Sequence, residues 1–328
     1  MSDRARQLLD HSLAWDNHGC MPLRGDDTEF LPQLSRYRES GFDVVSLNAG
    51  FDGMPWENTL LVLANIRHWI REHADDYMLL ESVEDIHRAR RENKLGVFFD
   101  LEGGCVLADQ LSMVKLYYDL GVRWMLIAYN RNNSLGGGCQ DEDSGLTEFG
   151  RRVIDEMARV GMVTCCSHTG YRTVMDVMNY ATQPVIFSHS NPLALHEHAR
   201  NIPDDAIEAC ARTGGVVCLN GVGIFLGEND SSTQTITRHI DYVVQKIGAS
   251  HVGIGLDYCF DMQELDDYVR ENPALFPPDK GYVDGIRFVE PEQLPEMVEA
   301  LIKLGYSDDN ISGILGGNLL RVAEQVWK

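Results

Sequence analysis

Short apolar runs rich in Val, Ile and Phe alternate with helix-like segments along the chain, and this alternation constrains the fold more than any other feature. It is typical of parallel βαβ units, and the near-continuous hydrophobicity of each run indicates strands that are covered on both faces. We predict helices at Trp56–Glu72, Glu148–Val160 and Asp204–Thr213. We predict eight strands, near residues 13–18, 43–49, 95–101, 123–129, 162–167, 184–188, 215–220 and 251–257.

Eight strand–helix units predict a closed TIM (β/α)8 barrel of the α/β class, although an open doubly wound sheet shows a similar alternation. A chain of 328 residues has the length of one such barrel, so residues 1–328 are expected to form a single domain. The longest irregular stretch, Tyr258–Pro295, follows the last strand and contains five prolines. We expect it to form a lid over the C-terminal face of the barrel, and a surface excursion against a neighbouring subunit is the alternative.

The charge and the cysteine content exclude several classes of protein. The net charge of −22 at pH 7 argues against a nucleic-acid partner, because phosphate binding requires a basic surface. Eight scattered cysteines without a CxxC pair are sparse for a disulfide scaffold and favour a reducing, cytoplasmic location. The N-terminus lacks the apolar core of a signal peptide, and there is no apolar run long enough to span a membrane. We therefore expect a cytoplasmic protein without nucleic-acid or membrane partners.

Five of the predicted strands end in residues of the types that bind metal ions. In a TIM barrel these ends converge on one pocket, which is where such enzymes place their active sites. Neutral imidazole and carboxylate are the usual non-sulfur ligands of zinc, and zinc-bound water ionises near neutral pH and can attack a carbonyl carbon. The side chains concerned are His18, Glu102, His168, His189 and Asp257.

A lone histidine at a strand end is more often structural, but five independent ligand-type ends favour a metal site. Glu102, among three histidines, could bridge two ions, and Asp257 could bind metal or accept a proton. Structural roles are expected for His196 and His198. Five further histidines lie in helix-like or polar stretches and are expected to face solvent: His11, His68, His73, His87 and His239.

A set of short motifs within this framework resembles the membrane (renal) dipeptidase family. The motifs run from residue 16 to residue 322 and so cover nearly the whole chain. Besides the strand ends, they are Glu102-Gly103-Gly104, Gly145-Leu146-Thr147-Glu148-Phe149-Gly150, Ser167-His168, Ser188-His189-Ser190-Asn191, Ala199-Arg200-Asn201 and Gly316-Gly317-Asn318. The resemblance implies a zinc peptidase within the amidohydrolase-like TIM barrels, and it implies a homodimer.

The resemblance also assigns the metal ligands. His18, Glu102 and Asp257 would hold one zinc ion. Glu102, His168 and His189 would hold a second, with Glu102 bridging the two.

By the same resemblance, Arg200 would bind the free carboxylate of a dipeptide substrate. This suits a guanidinium, because its planar fork grips a carboxylate through two hydrogen bonds. Without the resemblance, a surface ion pair would be the simpler interpretation of Arg200.

Three positions depart from the family pattern. Cys20 stands where the family carries a zinc-binding aspartate two residues after His18, and Cys259 replaces a second aspartate after the last strand. Tyr129 matches a histidine that in mammalian members assists the carbonyl oxygen, and a tyrosine hydroxyl could still donate a hydrogen bond to a developing oxyanion.

Because the first and last strands are neighbours in a closed barrel, Cys20 and Cys259 are expected to lie close together. Three states are open for the pair: zinc ligation by the Cys20 thiolate, a disulfide, or two inert thiols. We favour ligation by Cys20, because it occupies the position of the family ligand.

The function expected from these observations is that of a dipeptidase that uses one or two zinc ions. A metal-bound hydroxide would attack the amide of a dipeptide or dipeptide-like substrate, and Asp257 would carry a proton to the leaving amine. Glu102 and Tyr129 would complete the catalytic set, while Arg200 and Tyr129 bind the substrate. The alternatives are a hydrolase of another small amide or lactam and a catalytically impaired, one-metal accessory protein.

Overall fold

The structure, a computed structural model, describes residues 1–328, and its eight principal strands form a parallel barrel. The structure has ten strands in all, of which β3 and β10 lie outside the barrel order. They are β1 (Trp15–Cys20), β2 (Val44–Phe51), β3 (Tyr77–Leu79), β4 (Leu95–Glu102), β5 (Val122–Leu126), β6 (Val163–Cys165), β7 (Val185–Ile186), β8 (Val217–Leu219), β9 (Val252–Ile254) and β10 (Tyr258–Cys259). Their order is β7-β6-β5-β4-β2-β1-β9-β8, with β3 paired outside β4 and β10 paired to β1.

The barrel closes between β7 and β8. A parallel bridge joins Phe187 to Val217, and the Phe187 amide donates a hydrogen bond to the Val216 carbonyl at 3.0 Å. The amide of Cys218 donates back to the Phe187 carbonyl at 2.8 Å. The predicted TIM barrel is therefore confirmed, and the open doubly wound sheet is excluded.

Helices surround the barrel between successive strands. They are α1 (Asp3–His11), α2 (Ser35–Ser40), α3 (Trp56–Glu72), α4 (Val83–Arg91), α5 (Met113–Asp119), α6 (Glu148–Val160), α7 (Tyr171–Tyr180), α8 (Asp204–Arg212), α9 (Gly223–Leu226), α10 (Thr233–Ile247), α11 (Met262–Glu271), α12 (Leu294–Lys303), α13 (Asp308–Ser312) and α14 (Asn318–Val326). Shorter helical turns lie at Leu31–Leu34, Cys105–Leu107, Ala249–His251, Pro278–Lys280, Pro291–Gln293 and Gly313–Gly317.

The predicted helices have clear sequence boundaries. In α6, the Thr147 side chain accepts a hydrogen bond from the Gly150 amide, and Glu148 places a negative charge in the first turn. Gly161 ends the helix with φ of 99°, a conformation that favours glycine. The observed bounds of α3 and α6 are those predicted, and α8 ends one residue earlier than predicted.

An apolar cluster that includes Trp15, Phe98 and Trp124 fills the barrel interior and packs against α14. The rings of Trp15 and Phe98 meet edge to face with centroids 5.4 Å apart. Leu319 and Val322 of α14 belong to the same cluster. Because this core occupies the end of the barrel covered by α14, polar side chains can converge at the opposite end.

The segment Tyr258–Pro295 is more regular than predicted. It contains β10 and the ten-residue helix α11, which begins where the Asp261 side chain accepts a hydrogen bond from the Glu264 amide. Many residues of α11 are acidic, but the helix also has a narrow apolar face, on which Val269 is buried.

Candidate metal centre

Irregular backbone at the strand ends brings the ligand-type side chains together. The register between β1 and β2 shifts between Asp16 and Gly19, so His18 lies within the irregularity, which changes the direction of its side chain. His168 and Asp257 have φ of 61° and 57°, values that are uncommon outside glycine. Such backbone strain clusters at functional sites.

The turn after Glu102 depends on a glycine. Gly103 has φ of 123°, and a Cβ at this position would lie 2.2 Å from Cγ of Asp52. Asp52 accepts hydrogen bonds from the Cys105 amide at 2.7 Å and from the Tyr129 amide at 3.1 Å. This one carboxylate therefore ties the ends of β4 and β5 to each other.

Three imidazole nitrogens converge on one carboxylate oxygen. Glu102 Oε1 lies 3.5 Å from His18 Nε2 and 3.3 Å from Nε2 of both His168 and His189. Asp257 also contacts His18, with Oδ1 3.5 Å from the same Nε2. All four residues of the first group are buried. The five predicted strand-end residues thus form one cluster.

A second carboxylate holds the His18 ring. Asp100 Oδ1 lies 3.2 Å from His18 Nδ1, and Asp100 accepts hydrogen bonds from Ser46 Oγ at 2.5 Å and from Asn48 Nδ2 at 3.2 Å. Asn48 also donates to Glu102 Oε2 at 3.1 Å. These supporting residues were not predicted from the sequence. The signal for Asp100 was its position two residues before Glu102, on the same face of β4.

The other two histidines are held by neutral groups. His168 Nδ1 donates to Asn130 Oδ1 at 2.7 Å, and His189 Nδ1 lies 2.9 Å from Ser188 Oγ. The two Nε2 atoms are 2.9 Å apart. Because His168 donates through Nδ1, its neutral ring carries a lone pair on Nε2, which faces the cluster. This lone pair is available to a cation.

Burial and neighbouring charges shift the pKa values of several cluster residues. Burial lowers the pKa of His168 and of His189 well below the usual value. Burial also opposes protonation of His18, but neighbouring carboxylates, above all Asp100, outweigh it and raise the pKa of His18 to about 10. Burial raises the pKa of Glu102 to about 8. Metal binding must therefore release protons, because ligands bind as neutral imidazole and ionised carboxylate.

Cys20 adds a sulfur to this side of the cluster. Its Sγ lies 3.6 Å from His18 Nε2 and donates a hydrogen bond to Asp257 Oδ1 at 3.4 Å. Asn220 Nδ2 donates to the other Asp257 oxygen at 2.9 Å. Cys259 is the register partner of Cys20 across β1 and β10, so the expected proximity is confirmed. Both thiols are free, and the pair forms no disulfide in this structure.

Arg200 is buried and forms no ion pair, so the interpretation as a surface ion pair is wrong. Only 2% of the residue is exposed. Nη2 donates a long hydrogen bond, 3.4 Å, to the His189 carbonyl, and Nε has no partner. The guanidinium carbon lies 5.3 Å from the centroid of the Phe225 ring. Arg200 thus has donors that remain available to an anionic ligand.

Tyr129 lies beside the cluster. Its ring stacks on His168 with centroids 4.1 Å apart and contacts Phe51 at 5.2 Å. The residue hydrogen-bonds through its backbone amide to Asp52, whereas the hydroxyl makes no hydrogen bond within the protein. The hydroxyl is therefore free to interact with a ligand in the adjoining cavity, which Tyr129, Glu102 and Asp257 all line.

Two cavities adjoin the cluster and share His168 in their walls. The first cavity has a volume of about 430 Å³ and is mainly apolar, since 17 of its 27 lining residues are hydrophobic. We call it the apolar cavity. The second, of about 500 Å³, has 7 hydrophobic residues among 18 and is lined by Arg200; we call it the arginine cavity.

Two of the histidines outside the cluster have defined structural partners. His198 accepts a hydrogen bond from the Arg200 amide at 3.0 Å and lies 2.9 Å from the Lys280 carbonyl, so it links Arg200 to the segment after β9. His239 was expected to face solvent, and this prediction is wrong. It is fully buried in α10, with Nε2 3.0 Å from the Leu226 carbonyl, because it lies on the helix face that buries Ile236 and Val243.

A comparison with known protein families identifies the family to which the chain belongs. The sequence profile of the membrane dipeptidase family, peptidase family M19, matches residues 54–275. The chain belongs to the membrane dipeptidase family. The match contains Glu102, His168, His189 and Asp257, whereas His18 and Cys20 precede it.

Relatives of this membrane dipeptidase family member are found in fungi and bacteria. It is 30% identical over 282 residues to an uncharacterized dipeptidase of Schizosaccharomyces pombe, covering 83% of this chain and 62% of the relative. It is 29% identical over 268 residues to dipeptidase aclJ of Aspergillus oryzae, covering 79% and 59%. The chain thus spans about three fifths of the length of these curated relatives.

A crystal structure of an amidohydrolase from Pseudomonas aeruginosa has the same fold. Its TM-score with this family member is 0.88, at 26% sequence identity, and the match covers 98% of this chain and 99% of that chain. In the structure described here, none of the helices is both long and apolar enough to cross a membrane.

Proposed function

We propose that this protein is a zinc-dependent dipeptidase that hydrolyses the amide bond of a dipeptide or a dipeptide-like substrate. Membership of the membrane dipeptidase family and the dipeptidase names of its fungal relatives support a metallo-dipeptidase. The observation that carries the proposal is the convergence of three histidine Nε2 atoms on Glu102 Oε1.

The donor set fits a metal ion. Glu102 Oε1 is buried and accepts no hydrogen bond, which is costly for a carboxylate oxygen unless a cation compensates it. Nitrogen, oxygen and one sulfur are all ligand atoms that zinc accepts. Two sets of side chains have ligand atoms close enough to share an ion: His18, Glu102 and His189, and His18, Cys20 and Asp257.

We assign His18, Asp257 and Cys20, together with Glu102, to one metal position, and Glu102, His168 and His189 to the other. Zinc bound there would supply Lewis acidity for polarising the scissile carbonyl and activating water.

The remaining polar groups would orient the substrate and move protons. Arg200 would bind the terminal carboxylate through its unpaired donors. The Tyr129 hydroxyl would donate a hydrogen bond to the carbonyl oxygen as negative charge develops on it. Asp257, held at one oxygen by Asn220, would also transfer a proton to the leaving amine.

Metal content and hydrolysis measured on the same samples test this proposal. Protein purified without chelators is expected to carry one to two zinc equivalents and to hydrolyse dipeptides. His168→Ala and His189→Ala are each expected to lower both quantities, whereas the exposed control His68→Ala should lower neither. Chelation should abolish hydrolysis, and added zinc should restore it.

Three results would contradict the proposal in different ways. Absence of any transition metal, even after zinc reconstitution, would exclude the metal centre. Zinc binding without hydrolysis of any amide would favour the accessory protein. Hydrolysis of a lactam or another small amide in preference to all dipeptides would favour the other amidohydrolase. The homodimer and the cytoplasmic location stay predictions, and sedimentation and cell fractionation would test them.

A further inference from the structure

The apolar cavity has a continuous aromatic wall. Phe51 and Tyr268 meet with ring centroids 5.7 Å apart, Tyr268 and Phe276 at 5.7 Å, and Phe276 and Tyr282 at 5.4 Å. All four rings line the cavity, together with Leu265 of α11. Three of the four belong to the segment after β9, so this segment forms a packed wall beside the metal-ligand cluster.

The apolar cavity carries no unpaired charge apart from the cluster itself. No Lys or Arg lines it, and its carboxylates are Glu102, Asp257, Asp261 and Glu264. Asp261 and Glu264 each lie close to the Arg24 guanidinium, with nearest atoms 3.2 Å and 3.4 Å apart. A charged substrate side chain would therefore lose its hydration here without gaining a partner.

The proposed roles of Arg200 and the cluster place the two residues of a dipeptide substrate in different cavities. Arg200 lines the arginine cavity and not the apolar one. A dipeptide whose carboxylate is bound by Arg200 directs its C-terminal residue into the arginine cavity. Glu102 and Asp257 line the apolar cavity, so the residue on the other side of the scissile bond extends into it.

We infer that the enzyme selects dipeptides by a large, uncharged, apolar side chain on the N-terminal residue. This inference rests on the proposed function, and it adds the substrate class. Burying an aromatic or large aliphatic side chain, compared with leaving it exposed, corresponds to roughly ten- to hundredfold in kcat/KM. That gain depends on which of the two residues carries the side chain.

A set of three dipeptides tests the inference: Phe-Ala, Ala-Phe and Ala-Ala, each with an L and a D second residue so that handedness does not decide the result. The kcat/KM for Phe-Ala is expected to exceed that for Ala-Ala by roughly tenfold or more, whereas Ala-Phe should show no such gain. Equal values for the three would overturn the inference and leave the dipeptidase proposal intact. A preference for Ala-Phe would overturn the assignment of the two cavities. Hydrolysis of none, by zinc-loaded protein, would overturn the proposed function and the inference with it.

A charge placed on the cavity wall gives a second test. Leu265→Lys puts an ammonium beside the aromatic rings, and the ratio of kcat/KM for Phe-Ala to that for Ala-Ala is expected to fall towards one. The matched control is Gln263→Lys, which adds the same charge to the exposed face of α11 and should leave the ratio unchanged. Because a ratio within one variant is independent of the fraction of folded enzyme, partial misfolding cannot mimic the effect. A ratio that Leu265→Lys does not change would place the aromatic side chain elsewhere.

Discussion

Cys20 and Cys259 occupy paired positions on two adjacent parallel strands, and the Cys20 thiol donates a hydrogen bond to Asp257 at 3.4 Å. The first thiol therefore contacts both His18 and Asp257, which we propose as ligands of one metal ion, and its neighbour lies one strand away. The pair is thus one local environment in which two thiols have different access to the cluster.

From this arrangement we predict that Cys20→Ser weakens binding of the metal held by His18 and Asp257. A thiolate binds zinc at about 2.3 Å, and a hydroxyl is a poorer ligand. Cys20→Asp should preserve or raise dipeptidase activity, because it restores an anionic ligand, and Cys259→Ser is the matched control with little effect on metal content. X-ray absorption of the zinc-loaded protein decides the ligation, since a first shell of nitrogen and oxygen alone would exclude Cys20.

Arg200→Ala is predicted to lower kcat/KM for dipeptides with a free carboxylate by roughly ten- to hundredfold. A lost hydrogen bond to a charged group costs about 1.5–3 kcal/mol, which gives this range. C-terminally amidated dipeptides should be poor substrates of the parent enzyme and should lose little more in the variant. Arg238→Ala, on an exposed part of α10, is the control. Equal losses for free and amidated substrates would mean that Arg200 has a structural role.

Asp100→Asn is predicted to weaken metal binding by about ten- to hundredfold. The amide keeps the shape of the side chain but removes the charge that orients the His18 ring from 3.2 Å. Competition with a chromophoric chelator at fixed pH measures the affinity. Asp75→Asn, an equal charge change at an exposed position, should leave it unaltered. An unchanged affinity in Asp100→Asn would show that the backbone alone orients His18.

His239 is predicted to make stability depend on pH. Burial lowers the pKa of His239 to about 4, so the native state stays neutral while the unfolded chain takes up a proton near its ordinary pKa of about 6.5. The unfolded state then binds more protons between these values, and the free energy of unfolding decreases as the pH falls through them. Between about pH 7.5 and pH 5, the parent should lose roughly 2 kcal/mol more than His239→Gln.

Urea unfolding at the two pH values measures this difference, and the exposed His68→Gln is the control that should behave like the parent. Parallel pH profiles for the parent and His239→Gln would contradict the assignment.

The architecture and the five cluster residues were predictable because both follow from position along the strands. Alternating apolar runs predict the barrel, and ligand-type residues at strand ends predict where His18 and Glu102 meet. The supporting residues were harder to find, since Asn130 and Asp100 act through contacts between different strands. Asp100 lies on the same face of β4 as Glu102, but this position alone does not reveal its contact with His18. The burial of His239 was also unpredictable, because one polar residue on the buried face of a helix resembles its exposed neighbours until the packing is known.

The segment that follows β9 supplies three of the four rings in the aromatic wall of the apolar cavity, while four of the five cluster residues come from other strands. The proposed reactive groups and the wall proposed to select the substrate are therefore encoded mainly in different parts of the gene. Mutations confined to the stretch from Tyr258 onwards can alter the wall without replacing any of the five cluster residues.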